Sequence, residues 1–490
     1  MNWRAPVKKV LEKILKTLEK SPQKKAVTRN KENILNKEIK LPPYLVSTVS
    51  IIVFFLVLLF EIGFSWTNII GLVIFIGIIF VFFVLYLTKV EKDIVNDSES
   101  IILLGVIFVS AILLMELFKE WLSPIATPVA AFAVLVGLLI SIRLAIISGI
   151  ILSLILAVLN NFSFEYFLIH LISSVTGIVF ISTIRNRGNI IKLGLKITAA
   201  NVLAVMIIHL FKLWPVITLG INIGWGILGG FTCAILILVT LPYLEIFFSR
   251  VTNIKLLELA DFNQPLLKQL MVEAPGTYHH SLITASMAEQ AAGAIGEDSL
   301  LARVGAYYHD VGKLSHPEYF IENQEVGENP HTTLTPPMSG LIISSHVKEG
   351  VALAKQYKLD KAIVDCIQEH HGTSLMHYFY HRAVEQSPET KNETFRYPGP
   401  KPRSKVTAIL MIADAVEASS RTLEDHSAGK LKDAVEKVIN NKFIDGQFSE
   451  CPITLHDLST IAESMVLTLG GIYHARIKYK DTPDLHKKQD

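Results

Sequence analysis

Side chains that can bind metal ions are concentrated in the second half of this 490-residue chain. Of its 16 histidines, 14 lie after residue 250. Imidazoles with a few carboxylates suit Fe, Mn or Zn, and the two oxygens of an aspartate can bridge two cations where a histidine cannot. Seven residues at five places form the candidate ligand set: His280, His309, Asp310, His346, His370, His371 and Asp414.

Seven ligands of these types predict two metal ions. Two ions about 3.5–4 Å apart can hold a phosphate between them, generate a hydroxide nucleophile and stabilise charge on the leaving oxygen. The residue types therefore predict phosphoester hydrolysis.

The elements that must position these ligands are predicted to be helices. Apolar residues recur at helical spacing before a predicted break at Pro275-Gly276 and again over residues 281–294. A further helix, capped by Asp298 or Ser299, is predicted to end at His309-Asp310. Because no alternating pattern typical of strands occurs over any length, the sequence predicts an all-helical domain.

The adjacent pair His370-His371 restricts where its helix can end. Neighbouring side chains on a helix point about 100° apart, so both can reach one ion only near a helix end. Gly372 follows directly and can terminate the helix, which makes the arrangement feasible.

The whole chain is 51% hydrophobic and 18% charged, and its first half accounts for the high share of apolar residues. The sequence predicts an all-α protein in three parts: a basic cytoplasmic N-terminal arm (1–42), a polytopic transmembrane bundle of seven or eight spans (43–249) and an all-helical cytoplasmic domain (250–490). Apolar stretches near the ~20 residues that cross a bilayer give eight candidates. These are residues 44–64, 68–88, 101–118, 125–142, 144–160, 164–184, 193–211 and 220–241.

The basic residues predict the orientation in the inner or plasma membrane. Cytoplasmic loops carry an excess of Lys and Arg, and an even number of spans places both the arm and the C-terminal domain in the cytoplasm. The arm itself could be an amphipathic helix on anionic lipid or a flexible polybasic tail. The inner loops would hold Lys89, Lys92, Arg143, Arg185, Arg187 and Lys192, and the outer loops only Lys119 and Lys212.

Several motifs in the second half resemble one family specifically. The resemblance is to the HD hydrolase domain of the seven-transmembrane-receptor HD family, and the apolar first half agrees with it. It covers essentially the whole of residues 250–490. The motifs are Glu273-Ala-Pro-Gly-Thr-Tyr-His-His-Ser-Leu282, Arg303-Val-Gly-Ala-Tyr-Tyr-His-Asp-Val-Gly-Lys313, Tyr319-Phe-Ile-Glu-Asn-Gln324, His346-Val-Lys348, Glu369-His-His-Gly372, Tyr378-Phe-Tyr-His381, Phe395-Arg-Tyr-Pro-Gly-Pro-Lys-Pro402 and Ala413-Asp-Ala-Val-Glu-Ala418.

The resemblance implies a cyclic-di-AMP phosphodiesterase that opens the ring to linear 5′-pApA, lowering the level of this second messenger. It also implies a division of the ligands. One metal would be held by His280, His309, Asp310 and Asp414, and Asp310 would bridge to a second metal held by His346, His370 and His371. Family sites of this kind contain iron or manganese.

A catalytic role is predicted for Asp310, as the bridging ligand, and for Lys313. Lys313 lies three residues after Asp310, close enough to donate to a nonbridging phosphate oxygen or to the leaving group. The alternative is an ordinary surface lysine. His280 is preferred to His279 as a ligand because the helix is expected to begin there and the second histidine matches the family motif.

The loop from Phe395 to Lys405 has two open interpretations. Its aromatic and basic side chains could stack on adenine and pair with phosphate, or its prolines could make it a solvated extended segment. The remaining histidines considered are expected in the core or at the surface: His316, His377, His426, His456, His474 and His486.

Three functions remain compatible with the residues. The first is the cyclic-dinucleotide phosphodiesterase; the second is a metal-dependent hydrolase of another nucleotide; the third is a non-catalytic membrane receptor that binds nucleotide. The predicted partners are the cyclic dinucleotide and the lipid bilayer, with no nucleic acid polymer. A homo-oligomer is one open alternative for the assembly.

Overall fold

Helices before residue 250 are mostly long and apolar. The computed structural model describes residues 65–212, 216–324 and 329–473, so the predicted arm and the predicted span 44–64 lie outside the described residues. Within the described residues, this region contains α1 (Trp66–Lys89), α2 (Lys92–Asn96), α3 (Ser98–Trp121), α4 (Val129–Leu139), α5 (Ile142–Leu159), α6 (Phe164–Val179), α7 (Arg187–Lys212) and α8 (Val216–Phe247).

Five of these described helices, α1, α3, α5, α7 and α8, are long and apolar enough to cross a membrane, whereas α4 and α6 are apolar but shorter. Each predicted span after the first therefore has a helical counterpart. The described residues form two compact units that divide after Glu116, so α4 to α8 and the C-terminal helices belong to one unit.

Helix α4 is shorter than the predicted span 125–142. Its 11 residues extend about 16 Å, roughly half of the ~30 Å hydrocarbon core of a bilayer. Nine of them are buried, so protein rather than lipid surrounds most of the helix. The break predicted at Arg143 lies at Ile140-Ser141, because the Ser141 hydroxyl accepts a hydrogen bond from the Leu144 amide and begins α5.

Two contacts between the apolar helices involve polar or small residues. The His170 side chain is buried, and its Nε2 lies 2.8 Å from the Pro124 carbonyl oxygen. Helices α7 and α8 approach closely at Gly230, where an added Cβ would overlap Thr198. Small residues allow such close approach of helices in membranes.

The junction between the apolar region and the C-terminal region is hydrogen bonded. Thr252 caps α9 (Asn253–Leu259) by accepting from the Lys255 amide, and its hydroxyl also donates to Glu245 on α8. Arg187 at the start of α7 donates two hydrogen bonds, 2.7 and 3.1 Å long, to the Glu258 carboxylate. Because both side chains of this pair are more than a third exposed, it contributes less than about 1 kcal/mol.

The C-terminal region is helical, as predicted, and no strand occurs among its described residues apart from an isolated bridge between Leu375 and Arg396. Nine helices follow α9 in the described residues. They are α10 (Pro265–Glu273), α11 (Pro275–Ala294), α12 (Ser299–Tyr308), α13 (Pro336–Gln356), α14 (Lys361–Glu369), α15 (His377–Gln386), α16 (Lys405–Ser420), α17 (Ala428–Ile444) and α18 (Leu455–Ile472).

The break predicted at Pro275-Gly276 lies one residue earlier, at Ala274, between the end of α10 and the start of α11. The expected start of the next helix at His280 is wrong. Pro275 is the first residue of α11, a position that suits proline because the first amide of a helix has no partner within the helix. The helix therefore begins five residues before His280, which lies in its second turn. Asp298, one of the two predicted caps, accepts a hydrogen bond from the Leu301 amide and begins α12.

Helix α12 lies between two hydrophobic cores. Ala302 and Ala306 pack into one core with residues of α11, α16, α17 and α18. Val304 and Tyr308 pack into the other core with residues of α9, α10 and α14. The Tyr308 hydroxyl also donates a 2.9 Å hydrogen bond to the Leu259 carbonyl. Because both faces of α12 are fixed, the residues that follow it, His309 and Asp310, are held in place.

Candidate metal centre

The structure brings all seven predicted ligands together from five elements. His280 is on α11, His346 on α13 and Asp414 on α16. The pairs His309-Asp310 and His370-His371 directly follow the last residues of α12 and α14. Two groups result, and the ligand atoms within each lie within 4.8 Å of one another. One contains His280, His309, Asp310 and Asp414; the other contains Asp310, His346, His370 and His371.

Asp310 is shared by the two groups, and its two oxygens face different groups. Oδ2 lies 3.2 Å from Nε2 of His309 and 3.6 Å from Nε2 of His280. Oδ1 lies 3.4 Å from Nε2 of His346 and 3.6 Å from Nε2 of His370. The carboxylate is therefore oriented so that each oxygen could bind a separate cation.

Asp414 also lies between the groups. Its Oδ1 is 3.1 Å from Nε2 of His280 and 3.7 Å from Nε2 of His309. Its Oδ2 is 3.5 Å from Nδ1 of His371, a member of the second group. Two carboxylates thus connect the two sets of imidazoles.

Backbone carbonyls fix the protons of three imidazoles. The Nδ1 atoms of His309, His346 and His370 lie 2.7, 2.6 and 2.8 Å from carbonyl oxygens three residues earlier in the chain. Since a carbonyl can only accept, each Nδ1 carries the hydrogen, and in the neutral ring Nε2 presents a lone pair to the centre. This is the tautomer that a metal ligand requires.

Two further observations agree with the binding of divalent cations by these nitrogen and oxygen atoms. Nε2 of His346 and Nε2 of His370 are only 3.3 Å apart, and two facing lone pairs repel unless a positive charge lies near both. Nε2 of His309 and Oδ1 of Asp310 are buried and make no hydrogen bond to any described residue. Buried polar atoms of native proteins nearly always have a partner, so these atoms fit a bound ion.

Electrostatic interactions within the site keep Asp310 ionised and His370 neutral, but favour a proton on His309. Burial raises the pKa of Asp310, but the charges of His309 and Lys313 outweigh it and hold that pKa well below its usual value. Burial and the charge of His309 lower the pKa of His370 to about 3, so this imidazole is neutral at pH 7. Burial lowers the pKa of His309 as well, yet the Asp310 charge raises it to about 10. Cation binding would therefore displace a proton from His309.

The metal centre is least enclosed on one side. The side chains of His371 and Asp414 are 18% and 13% exposed, whereas those of the other five ligands are at most 5% exposed. The Tyr397 ring stacks on the His371 ring, with centroids 4.1 Å apart. A substrate would therefore approach past His371 and Asp414.

Two alternatives do not fit the structure: His279 as the metal ligand in place of His280, and Lys313 as an ordinary surface lysine. His279 is exposed, whereas His280 is buried. The Lys313 side chain is only 12% exposed, with Nζ 2.8 Å from Oδ2 of Asp310 and 2.6 Å from Oε1 of Glu322. These two carboxylates outweigh the effect of burial and raise the Lys313 pKa above its usual value.

Two carboxylates near the site, Glu417 and Glu322, were missed by the sequence analysis. Oε2 of Glu417 lies 2.6 Å from Nδ1 of His280, and Glu322 accepts from Thr277 as well as from Lys313. Glu417 had a sequence signal, because residues three apart on a helix share a face and it follows Asp414 by three. For Glu322, the only sequence signal was its place in the motif Tyr319-Phe-Ile-Glu-Asn-Gln324.

The basic loop is mainly structural. Arg396 pairs with Asp445, Lys401 donates to the Gly446 carbonyl, and Lys405 pairs with Glu297 and Asp457; the Phe395 ring is buried in a local core. Within the loop, Tyr397 lies against a predicted ligand. Four of the six histidines that were expected in the core or at the surface lie outside both ligand groups: His316, His377, His426 and His456. The other two, His474 and His486, are not among the described residues.

Glu417→Gln should weaken metal binding by about 10-fold to 100-fold, because a carboxylate that holds a ligand histidine increases its basicity and fixes its ring. The fold should be kept, since glutamine has nearly the same shape. Metal affinity measured by competition with a chelator checks this, with the exposed Glu424→Gln as the matched control. Equal affinity in both variants would show that Glu417 does not act through His280.

Two family models match the chain. The family described as a 7TM receptor with intracellular HD hydrolase matches residues 66–252, and the HD domain matches residues 277–419. All seven candidate ligands lie inside the second match. The matched regions therefore correspond to the apolar helices and to the helical domain with the metal centre, and the HD domain is a divalent-metal domain.

Curated relatives match across both regions. The cyclic-di-AMP phosphodiesterase PgpH of Bacillus subtilis (strain 168) is 39% identical over 371 residues, 74% of this chain and 52% of that protein. PgpH of Listeria monocytogenes serotype 1/2a (strain 10403S) is 42% identical over 317 residues, 64% of this chain and 44% of that protein. The chain thus spans about half the length of the curated relatives it matches.

Among solved structures, the crystal structure of the L. monocytogenes phosphodiesterase PgpH HD domain in complex with cyclic-di-AMP is 46% identical. It covers 44% of this chain and 100% of the solved chain, with a TM-score of 0.43.

Proposed function

The chain belongs to the family of 7TM receptors with an intracellular HD hydrolase and is a multi-pass membrane protein, and from this premise we propose that it hydrolyses cyclic-di-AMP to linear 5′-pApA. The observation that carries the proposal is the pair of ligand groups that share Asp310. The substrate is suggested by the relatives, which are named cyclic-di-AMP phosphodiesterases.

In the proposed site, Asp310 and six other side chains would hold two divalent ions, one in each group. Such ions polarise phosphate oxygens and make water more acidic. The nitrogen and oxygen donors, with no cysteine among them, suit iron or manganese. The chain's own residues orient these donors: backbone carbonyls fix His309, His346 and His370, and Glu417 fixes His280.

Lys313 would act beside the ions rather than as their ligand. Its ammonium group is held between Asp310 and Glu322, so its position is fixed before substrate binds. From there it could donate a hydrogen bond to a nonbridging phosphate oxygen or a proton to the leaving 3′ oxygen. Glu322 is then a positioning residue that keeps the ammonium group charged.

The C-terminal domain is proposed to lie in the cytoplasm. Basic residues mark cytoplasmic loops, and Arg187, at the start of α7, binds Glu258 of this domain directly. The domain and this basic loop therefore lie on the same side. A green fluorescent protein fused after residue 490 should fluoresce in cells; an alkaline phosphatase fusion that is active there would contradict the orientation.

Product analysis tests the activity. Full-length protein, purified in detergent and supplied with manganese, would be incubated with cyclic-di-AMP, cyclic-di-GMP and a nucleoside polyphosphate. Chromatography should show pApA as the main product. Faster hydrolysis of another nucleotide would favour the second hypothesis, and metal-loaded protein that leaves every nucleotide intact would favour the non-catalytic receptor.

A further inference from the structure

Lys442 near the end of α17 is a half-buried cation with no carboxylate bound to it. Its Nζ donates a 2.7 Å hydrogen bond to the Ser374 hydroxyl, which is neutral. No carboxylate oxygen among the described residues lies within ion-pair distance of it. Arg396 pairs with Asp445 and Lys405 with Asp457, whereas Lys442, like Lys401, donates only to neutral oxygens. An unpaired charge in such a place costs free energy unless an anion binds there.

The nearby carboxylate of Asp445 is bound by other donors. Both oxygens of Asp445 already accept hydrogen bonds from Arg396, at 2.8 and 3.1 Å, and one also accepts from Gln447. Burial lowers the pKa of Lys442, and the more distant charges of Asp414 and Asp445 only partly offset that effect. The lysine therefore retains capacity for a further anionic partner.

Lys442 is connected to the open side of the metal centre. Ser374, its hydrogen-bond acceptor, lies in the turn that follows His371 and accepts the Tyr397 amide through its own carbonyl. The charge of Lys442 also interacts with that of Asp414. The Ser374 amide also donates to the carbonyl of His371, so two hydrogen bonds connect Lys442 to the most exposed of the seven ligands.

The proposed substrate brings an anion to this side. A cyclic dinucleotide carries two phosphodiesters, and the two metal ions can hold only the one that is cleaved. The other phosphate keeps its negative charge and, once taken from water, needs a cation or hydrogen-bond donors. A lysine ammonium is a point charge with three donors, of which Ser374 occupies one.

We propose that Lys442 binds the phosphate of the cyclic dinucleotide that is not being cleaved. The inference rests on the proposed function and adds a residue that distinguishes substrates with two phosphodiesters from those with one. Lys442 acts here in substrate binding, and takes no part in the bond that breaks.

The experiment compares two substrates in full-length, manganese-loaded protein. Cyclic-di-AMP has two phosphodiesters, whereas bis(4-nitrophenyl) phosphate has one. In Lys442→Met, the ratio of kcat/KM for cyclic-di-AMP to kcat/KM for bis(4-nitrophenyl) phosphate should fall by about 10-fold to 100-fold, mainly through KM. Lys442→Arg, which keeps the charge, should recover most of the ratio.

The matched control is Lys437→Met, an exposed lysine on the same helix, which should leave the ratio at the wild-type value. If Lys442→Met does not fold, Lys442→Gln tests the same charge while its amide can still donate to Ser374. An unchanged ratio in the Lys442 variants, or an equal loss on both substrates, overturns the inference alone. Wild-type protein that cleaves bis(4-nitrophenyl) phosphate but leaves cyclic-di-AMP intact overturns the proposed function, and the inference with it.

Discussion

Asp310→Asn should lower kcat by at least about 1,000-fold, because the loss of both ions removes several kcal/mol of transition-state stabilisation. Bound metal should fall from about two ions per chain to below one. The reason is geometric: each Asp310 oxygen faces a different ligand group, and asparagine replaces one oxygen with an NH₂ group that cannot bind a cation. Steady-state kinetics and elemental analysis measure the two effects.

The control for this variant is Asp433→Asn, which removes an exposed carboxylate from α17. It should keep both activity and metal content. If Asp310→Asn instead retained two ions and lost only activity, Asp310 would act on the substrate and would not bridge the metals. A variant with one tightly held ion would show that a single group depends on it.

Lys313→Met should lower kcat by about 100-fold while metal content stays nearly unchanged, because Lys313 is proposed to donate to the phosphate without binding a metal. The substitution should also destabilise the domain by about 3–5 kcal/mol, since it leaves Glu322 buried without its cation. Turnover, metal content and thermal unfolding would be measured on the same preparation.

A double variant separates stability from catalysis at this position. Adding Glu322→Gln to Lys313→Met removes the uncompensated charge, so much of the lost stability should return. Turnover should stay low, because the ammonium donor is still missing. Recovery of turnover together with stability would mean that Lys313 only supports the fold, and metal loss as large as in Asp310→Asn would mean that it only orients Asp310.

The ligand set illustrates what a sequence can predict about a site. The sequence places histidine and aspartate at five motif positions, and the structure brings all seven side chains together in two groups that share Asp310. Their assignment as metal ligands stays a prediction. The all-helical class was predictable for a related reason, since apolar residues at helical spacing must share a buried face.

The positions of supporting groups could not be predicted in the same way. From residue type alone, Glu322 and Glu417 cannot be distinguished from solvent-exposed carboxylates. Tertiary packing places Glu322 beside Lys313 and Glu417 beside His280. Lys442 likewise lies 28 residues beyond Asp414, on another helix. Its relation to the site depends on how α17 packs.

Two helix boundaries differ from those that the sequence predicts. Helix α11 begins at Pro275 rather than at His280, because proline fits the first turn of a helix. Helix α4 ends after 11 residues although the surrounding sequence is apolar for much longer. Composition alone cannot show that a segment is enclosed by other helices and need not cross the bilayer.

Anomalous diffraction from crystals soaked with manganese tests the central claim most directly. We expect two peaks about 3.5–4 Å apart, with one Asp310 oxygen beside each. One peak should also lie against His280, His309 and Asp414, and the other against His346, His370 and His371. A single peak enclosed by all of these side chains, or no peak beside Asp310, would contradict the account.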